Sequence, residues 1–136
     1  MNPYTIAQFE AYRQTQVQTA SPTELVVMLY RGAVRFAKAG IDGIAQNDLE
    51  AAHRGFLRAQ QVVTELSVTL DFDKGGALAR QLRAIYTYVN TRLVEANVRK
   101  NVEPAREAIH LLEELLSAWE AVVHGEVVKT LATTAA

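Results

Sequence analysis

The stretch "SPTELVVMLY", residues 21–30, decides the fold. It opens as a helix start. The Ser21 hydroxyl can accept from the Glu24 amide, the Glu24 carboxylate can reach back, and Pro22 suits the first helical position. Six apolar residues, Leu25 to Tyr30, then run without a break. A helix that buries one face needs an apolar residue only every third or fourth position. This helix must therefore bury more than one. At about 100° per residue, Val27, Tyr30, Val34, Ala37, Ile41 and Ile44 form one stripe, while Leu25, Leu29, Gly32, Phe36, Gly40 and Gly43 form a second, roughly 150° away. Glu24, Arg31, Arg35, Lys38 and Asp42 share the narrow arc that remains.

Three further segments carry one stripe each. Leu49, Ala52, Phe56, Ala59, Val63, Leu66 and Leu70 recur in steps of three and four. So do Leu78, Leu82, Ile85, Val89, Leu93 and Ala96, and then Ala105, Ala108, Leu112, Leu115, Trp119 and Val122. Asn47 and Asn101 are the expected caps of the second and fourth helices. "LDFDKGG", residues 70–76, reads as an interhelix loop from its Asp and Gly content. The helices are expected near 22–45, 48–70, 76–100 and 102–124. Short links between helices of similar length imply an all-α, antiparallel up-and-down four-helix bundle. Residues 1–20 form an N-terminal arm with a short helical segment, residues 21–124 the bundle, and residues 125–136 a flexible C-terminal tail. The arm carries Ile6, Phe9, Tyr12 and Val17, apolar area enough to lie over the second stripe of the first helix.

Composition narrows the function. The chain has 136 residues, a formal charge of −1 and no cysteine. That excludes disulfides and thiolate chemistry, and gives no global attraction to nucleic acid or anionic membranes. The longest apolar run is far short of the 18 or so residues of a membrane span. No basic region followed by an apolar stretch opens the chain, so a cytosolic protein is expected.

Two Glu-x-x-His pairs, Glu50/His53 and Glu107/His110, match the spacing used in di-iron bundles. The first pair lies in the opening turns of its helix, and the second faces away from the Leu112/Leu115/Trp119 stripe. The mid-stripe positions of the other two helices are apolar. "DFDKGG" has Gly75 and Leu82 where a calcium loop needs oxygen ligands. No phosphate loop, nucleophile elbow or dinucleotide fingerprint is present. No enzyme, metal or cofactor is expected.

Apolar residues outside the stripes are the unusual feature. Leu57 and Val68, with Gln61 between them, lie on the outer side of the second helix. Val94 and Val98 lie on the outer side of the third. A hairpin turning at residues 71–76 brings Val94 to the level of Leu57, so the two helices can line an outer groove for an amphipathic helix or extended peptide.

The residues also resemble a known family, the flagellin-specific export chaperones of bacterial flagellar assembly. The resemblance runs through Tyr12, Val17-x-Thr19-Ala20-Ser21-Pro22-x-x-Leu25 and Met28-Leu29-Tyr30-x-Gly32-Ala33. It continues in Ala59-Gln60, Glu65-Leu66, Leu70-Asp71, Leu82, Tyr86-x-Tyr88, Leu93-x-x-Ala96-Asn97 and Trp119. Family members often carry Asp at the positions of Arg31 and Thr87, which bears on local charge pairing. The resemblance implies a chaperone without ATPase activity that binds the disordered C-terminal segment of flagellin, prevents premature polymerisation and aids delivery to the flagellar type III export gate. It also implies that the N-terminal arm lies where client competes for the same surface. The expected client-binding residues are Tyr12, Val17, Leu25, Leu29, Phe36, Leu57, Gln61, Val68, Val94 and Val98. A homodimer without client remains open, as do a helical adaptor bundle for another amphipathic partner and a metallo-oxidase.

Overall fold

The computed structural model describes residues 22–135, with side chains from Thr23 to Gly125. Ser21, and with it the expected capping box, lies outside the described residues, as do Tyr12 and Val17. Four helices follow in order: α1 (Pro22–Ala45), α2 (Leu49–Val68), α3 (Phe72–Arg99) and α4 (Val102–Ala135). α1 packs on α2 and α4, and α3 completes the ring against the same two helices. This closed circuit of sequential neighbours is the up-and-down bundle implied by the short links.

The stripes form the core. Tyr30, Ala37, Phe56, Val63, Leu66, Val89, Leu93 and Leu112 are fully buried or nearly so. Tyr86, outside the expected stripe of α3, is buried as well. Its hydroxyl is hydrogen-bonded to that of Tyr30, and the Trp119 indole N–H donates to Tyr30 at 3.3 Å. Burial raises both phenols above their ordinary value of 10, and at Tyr86 the bond to Tyr30 adds to the rise. A raised phenol pKa favours the protonated folded state. That contribution is complete below the unfolded value near pH 10 and is lost as pH climbs towards the folded values. Melting temperature is therefore expected to fall above about pH 10. Tyr86→Phe should blunt that fall while costing about 1–2 kcal/mol at neutral pH in urea unfolding, because the Tyr30 hydroxyl loses a partner.

The second stripe of α1 is covered chiefly by α2. A Cβ on Gly40 would sit 2.5 Å from the Phe56 ring, and one on Gly43 would sit 2.4 Å from the Ala52 amide nitrogen. One on Gly55 would meet the Gly40 amide nitrogen at 2.5 Å. The two backbones thus approach to a distance that side chains forbid. Leu29 and Phe36 are half-buried and pack on the core, and Leu25, at the start of the stripe, stays exposed.

The helix ends depart from expectation in three places. Asp48, not Asn47, caps α2: its carboxylate accepts from the Ala51 amide at 3.0 Å. Asn47 instead takes a left-handed φ of 55°, a conformation that asparagine tolerates better than most side chains. The 70–76 segment is shorter as a loop than its composition suggests. Asp71 accepts from the amides of Asp73 and Lys74 at 3.1 Å, so helix begins at Phe72 and is interrupted at Gly76, where φ is +51°. At its far end α4 continues to Ala135, past Gly125, where composition suggests a tail. Gly125 alone costs a helix only about 1 kcal/mol, and no proline follows it. Asn101 does cap α4, its side chain accepting from the Glu103 amide at 3.0 Å.

Candidate functional site

An up-and-down topology collects the start of α1, the end of α2, the start of α3 and the late turns of α4 at one end of the bundle. Apolar side chains are exposed there: Leu25, Met28, Val68, Phe72, Leu78 and Val122. Leu78 and Val122 continue the buried stripes, but they lie past the level at which all four helices cover one another. Periodicity alone assigned them to the core. A cavity of about 280 Å³ opens at this end, walled by Val26, Leu70, Leu78, Leu82, Tyr86 and Trp119. The opposite end, around Gln46–Asp48 and Lys100–Asn101, is polar apart from the half-exposed Leu49.

The outer face of α2 and α3 forms the second apolar surface. Two cross-links set its register: Asn97 Nδ2 lies 2.9 Å from His53 Nδ1, and Asn90 Nδ2 donates to Thr64 Oγ1 at 3.3 Å. Leu57 and Gln61 fall between them on α2, and Val94 falls between them on α3. Leu57 and Val94 are each about two-fifths exposed, and Val98, one turn on, is 77% exposed. Val68 is 73% exposed but lies three turns from Leu57, about 16 Å along the helix, so it belongs with the apolar end. Thr64, Thr87 and Thr91 share this face. Each donates its hydroxyl to the carbonyl four residues earlier, at 3.0 Å. The ridge of His53, Leu57, Gln61 and Thr64 facing Thr87, Thr91, Val94 and Val98 carries no carboxylate, lysine or arginine. The threonine hydroxyls are turned to their own helix, which residue type alone does not reveal.

The Glu-x-x-His pairs do not converge. His53 is linked to Asn97, while Glu107 accepts from Tyr88 and lies 3.2 Å from Arg92 Nε. His110 is 2.7 Å from Glu114. Among the described residues no group of three His, Asp or Glu side chains is placed to hold a metal ion, and no helix is long and apolar enough to cross a membrane. Arg31 pairs with Glu120 at 2.8 Å, tying α1 to α4.

Comparison with known proteins assigns this arrangement. The family model described as flagellar protein FliS matches residues 5–126. The chain belongs to the FliS family. It is 35% identical over 120 residues to the flagellar secretion chaperone FliS of Campylobacter jejuni, covering 88% of this chain and 94% of that one. It is 32% identical over 125 residues to the flagellar secretion chaperone FliS of Bacillus subtilis, covering 92% and 89%. The corresponding Salmonella typhimurium chaperone is 31% identical over 124 residues, covering 88% and 92%. These relatives are named as chaperones, and membership of a flagellar secretion chaperone family implies a flagellar client for this bundle.

Proposed function

We propose that this protein is a cytosolic export chaperone that binds the C-terminal segment of flagellin, keeps it from polymerising early and delivers it to the flagellar type III export apparatus. The observation that carries this reading is the uncharged ridge of Leu57, Gln61 and Thr64 on α2 and of Thr87, Thr91 and Val94 on α3, together with the apolar bundle end, in a chain of this family. A disordered client that folds as it binds must offset its ordering entropy by burying apolar area over a long surface. Leu57, Gln61, Val94 and Val98 supply one part of that surface, and Leu25 and Val68 the other. No catalytic step is needed.

The N-terminal arm enters this reading as a displaceable cover. Residues 12–17 are separated by only four residues from α1, which begins at the apolar end, so Tyr12 and Val17 can reach Leu25 and Leu29. A large apolar side chain fully buried is worth about 1.5–3 kcal/mol, so a few such contacts hold a cover that a longer client can displace.

Titration of the full chain with a flagellin C-terminal peptide is expected to give a one-to-one complex whose affinity changes little with salt, since apolar burial carries it. Deleting residues 1–17 should leave the bundle folded, raise binding of an apolar dye and tighten the complex. Absence of heat and of a complex on gel filtration at micromolar concentrations would rule out the flagellin reading. Unchanged dye binding and affinity on deletion would rule out the cover alone.

A further inference from the structure

A trench between α1 and α2, on the other side of α2 from Val94, combines charge with an apolar floor. Its volume is about 360 Å³, and its lining includes Arg35, Phe36 and Ala39 from α1 with Arg54, Gly55 and Arg58 from α2. None of its lining residues is acidic. The Arg35 guanidinium lies 5.2 Å from the centre of the Phe36 ring, and that of Arg58 lies 5.7 Å from it. One ring therefore holds two like charges beside each other. Arg35, Arg54 and Arg58 form no ion pair among the described residues, whereas the cations on the neighbouring arc do: Arg31 with Glu120 and Lys38 with Glu113. In a chain of net charge −1, three unpaired arginines lining one trench, two of them over a half-buried aromatic ring, are a local concentration of positive charge.

We propose that this trench docks an acidic helical segment of a second partner protein, its carboxylates on Arg35, Arg54 and Arg58 and one apolar side chain over Phe36. Guanidinium and carboxylate pair through two parallel hydrogen bonds, and a face with free arginines selects for that geometry. Arg54 and Arg58, one turn apart, match carboxylates spaced three or four residues apart on a facing helix. The small residues Ala39 and Ala51 leave room for the anchor. A nucleic acid fits less well. Phosphate-led binding typically engages about 6–10 cations, and here three surround an apolar floor. Apart from Phe36, which the sequence also offered to the client, the trench shares no residue with the proposed client face, and it should differ from that face in salt response.

The test uses the full chain and a fluorescein-labelled helical peptide of Glu, Ala and Leu, with paired glutamates flanking each leucine. The controls are the same peptide with lysine for glutamate and a single-stranded RNA of similar length. The acidic peptide should bind at least about ten-fold more tightly than the lysine peptide and weaken steadily as salt is raised. Arg54→Glu with Arg58→Glu should abolish that preference, and Arg54→Gln with Arg58→Gln should weaken it in part. In both double variants helical circular dichroism and affinity for the flagellin peptide should stay unchanged. Equal binding of the two peptides, or acidic-peptide binding indifferent to both double variants, would overturn the proposal. So would RNA binding tighter than the acidic peptide, which would make this a nucleic-acid face. Loss of the flagellin peptide alone, with the acidic preference intact, would sink the client reading and leave this one standing.

Discussion

Gly55→Val is expected to lower the stability of the bundle by about 3 kcal/mol or more, the largest effect of any single change considered for this protein. Even Gly55→Ala should destabilise it. In an open helix that substitution gains about 1 kcal/mol from propensity. Here the new Cβ would lie 2.5 Å from the Gly40 amide nitrogen and 2.9 Å from the Phe36 carbonyl oxygen. Both obstacles are backbone, so no rotamer change relieves them and α1 must move off α2. Phe56, which packs over Gly40 and is fully buried, would lose its seat in the process. Gly125→Ala is the matched control, since among the described residues nothing lies within 4 Å of its Cβ position, and it should be neutral or slightly stabilising. Urea unfolding followed by circular dichroism separates the two. Equal stability of Gly55→Ala and Gly125→Ala would mean that the α1/α2 contact is looser than the structure shows.

Leu57→Glu combined with Val94→Glu is expected to weaken the flagellin complex at least about thirty-fold. Each removes an apolar contact of about 1 kcal/mol or more and places a charge where the client would bury it, and every 1.4 kcal/mol is about ten-fold in affinity. In the free protein both side chains are exposed, so the new carboxylates stay in water and unfolding free energy should shift by less than about 0.5 kcal/mol per site. Titration calorimetry and thermal melts of the same samples read the two quantities separately. Wild-type affinity in the double variant would move the client site to the apolar end of the bundle, where Leu25→Glu is the corresponding test.

How much of this was legible from residue order follows from which forces act locally. The 3.6-residue recurrence of Phe56, Val63, Leu93 and Leu112 reflects burial along each helix separately, so it specified four helices and the interior of their bundle. The unbroken run Leu25–Tyr30 specified that α1 is buried on more than one side. The Asn101 cap was readable because a cap bonds to amides two or three residues away. The run from Val17 to Ala33 pointed to the family before any packing was known.

What covers the second stripe was a tertiary decision. Gly40, Gly43 and Gly55 look like weak helix residues in the sequence, and only the meeting of two backbones shows why a Cβ is excluded there. The exposure of Leu78 and Val122 depends on where neighbouring helices stop, which periodicity within one helix cannot register. Tyr86 joined the core because Tyr30, far away along the chain and itself bonded to Trp119, offered its hydroxyl a partner. The trench of Arg35, Arg54 and Arg58 likewise exists only because α1 and α2 pack closely enough to line one trench with three arginines and set two of their charges over Phe36. Local sequence determined which residues are apolar and which are helical. Long-range packing decided which apolar residues stay in water and which charges stay unpaired, because burial and ion pairing depend on neighbours that the chain supplies only once it has folded.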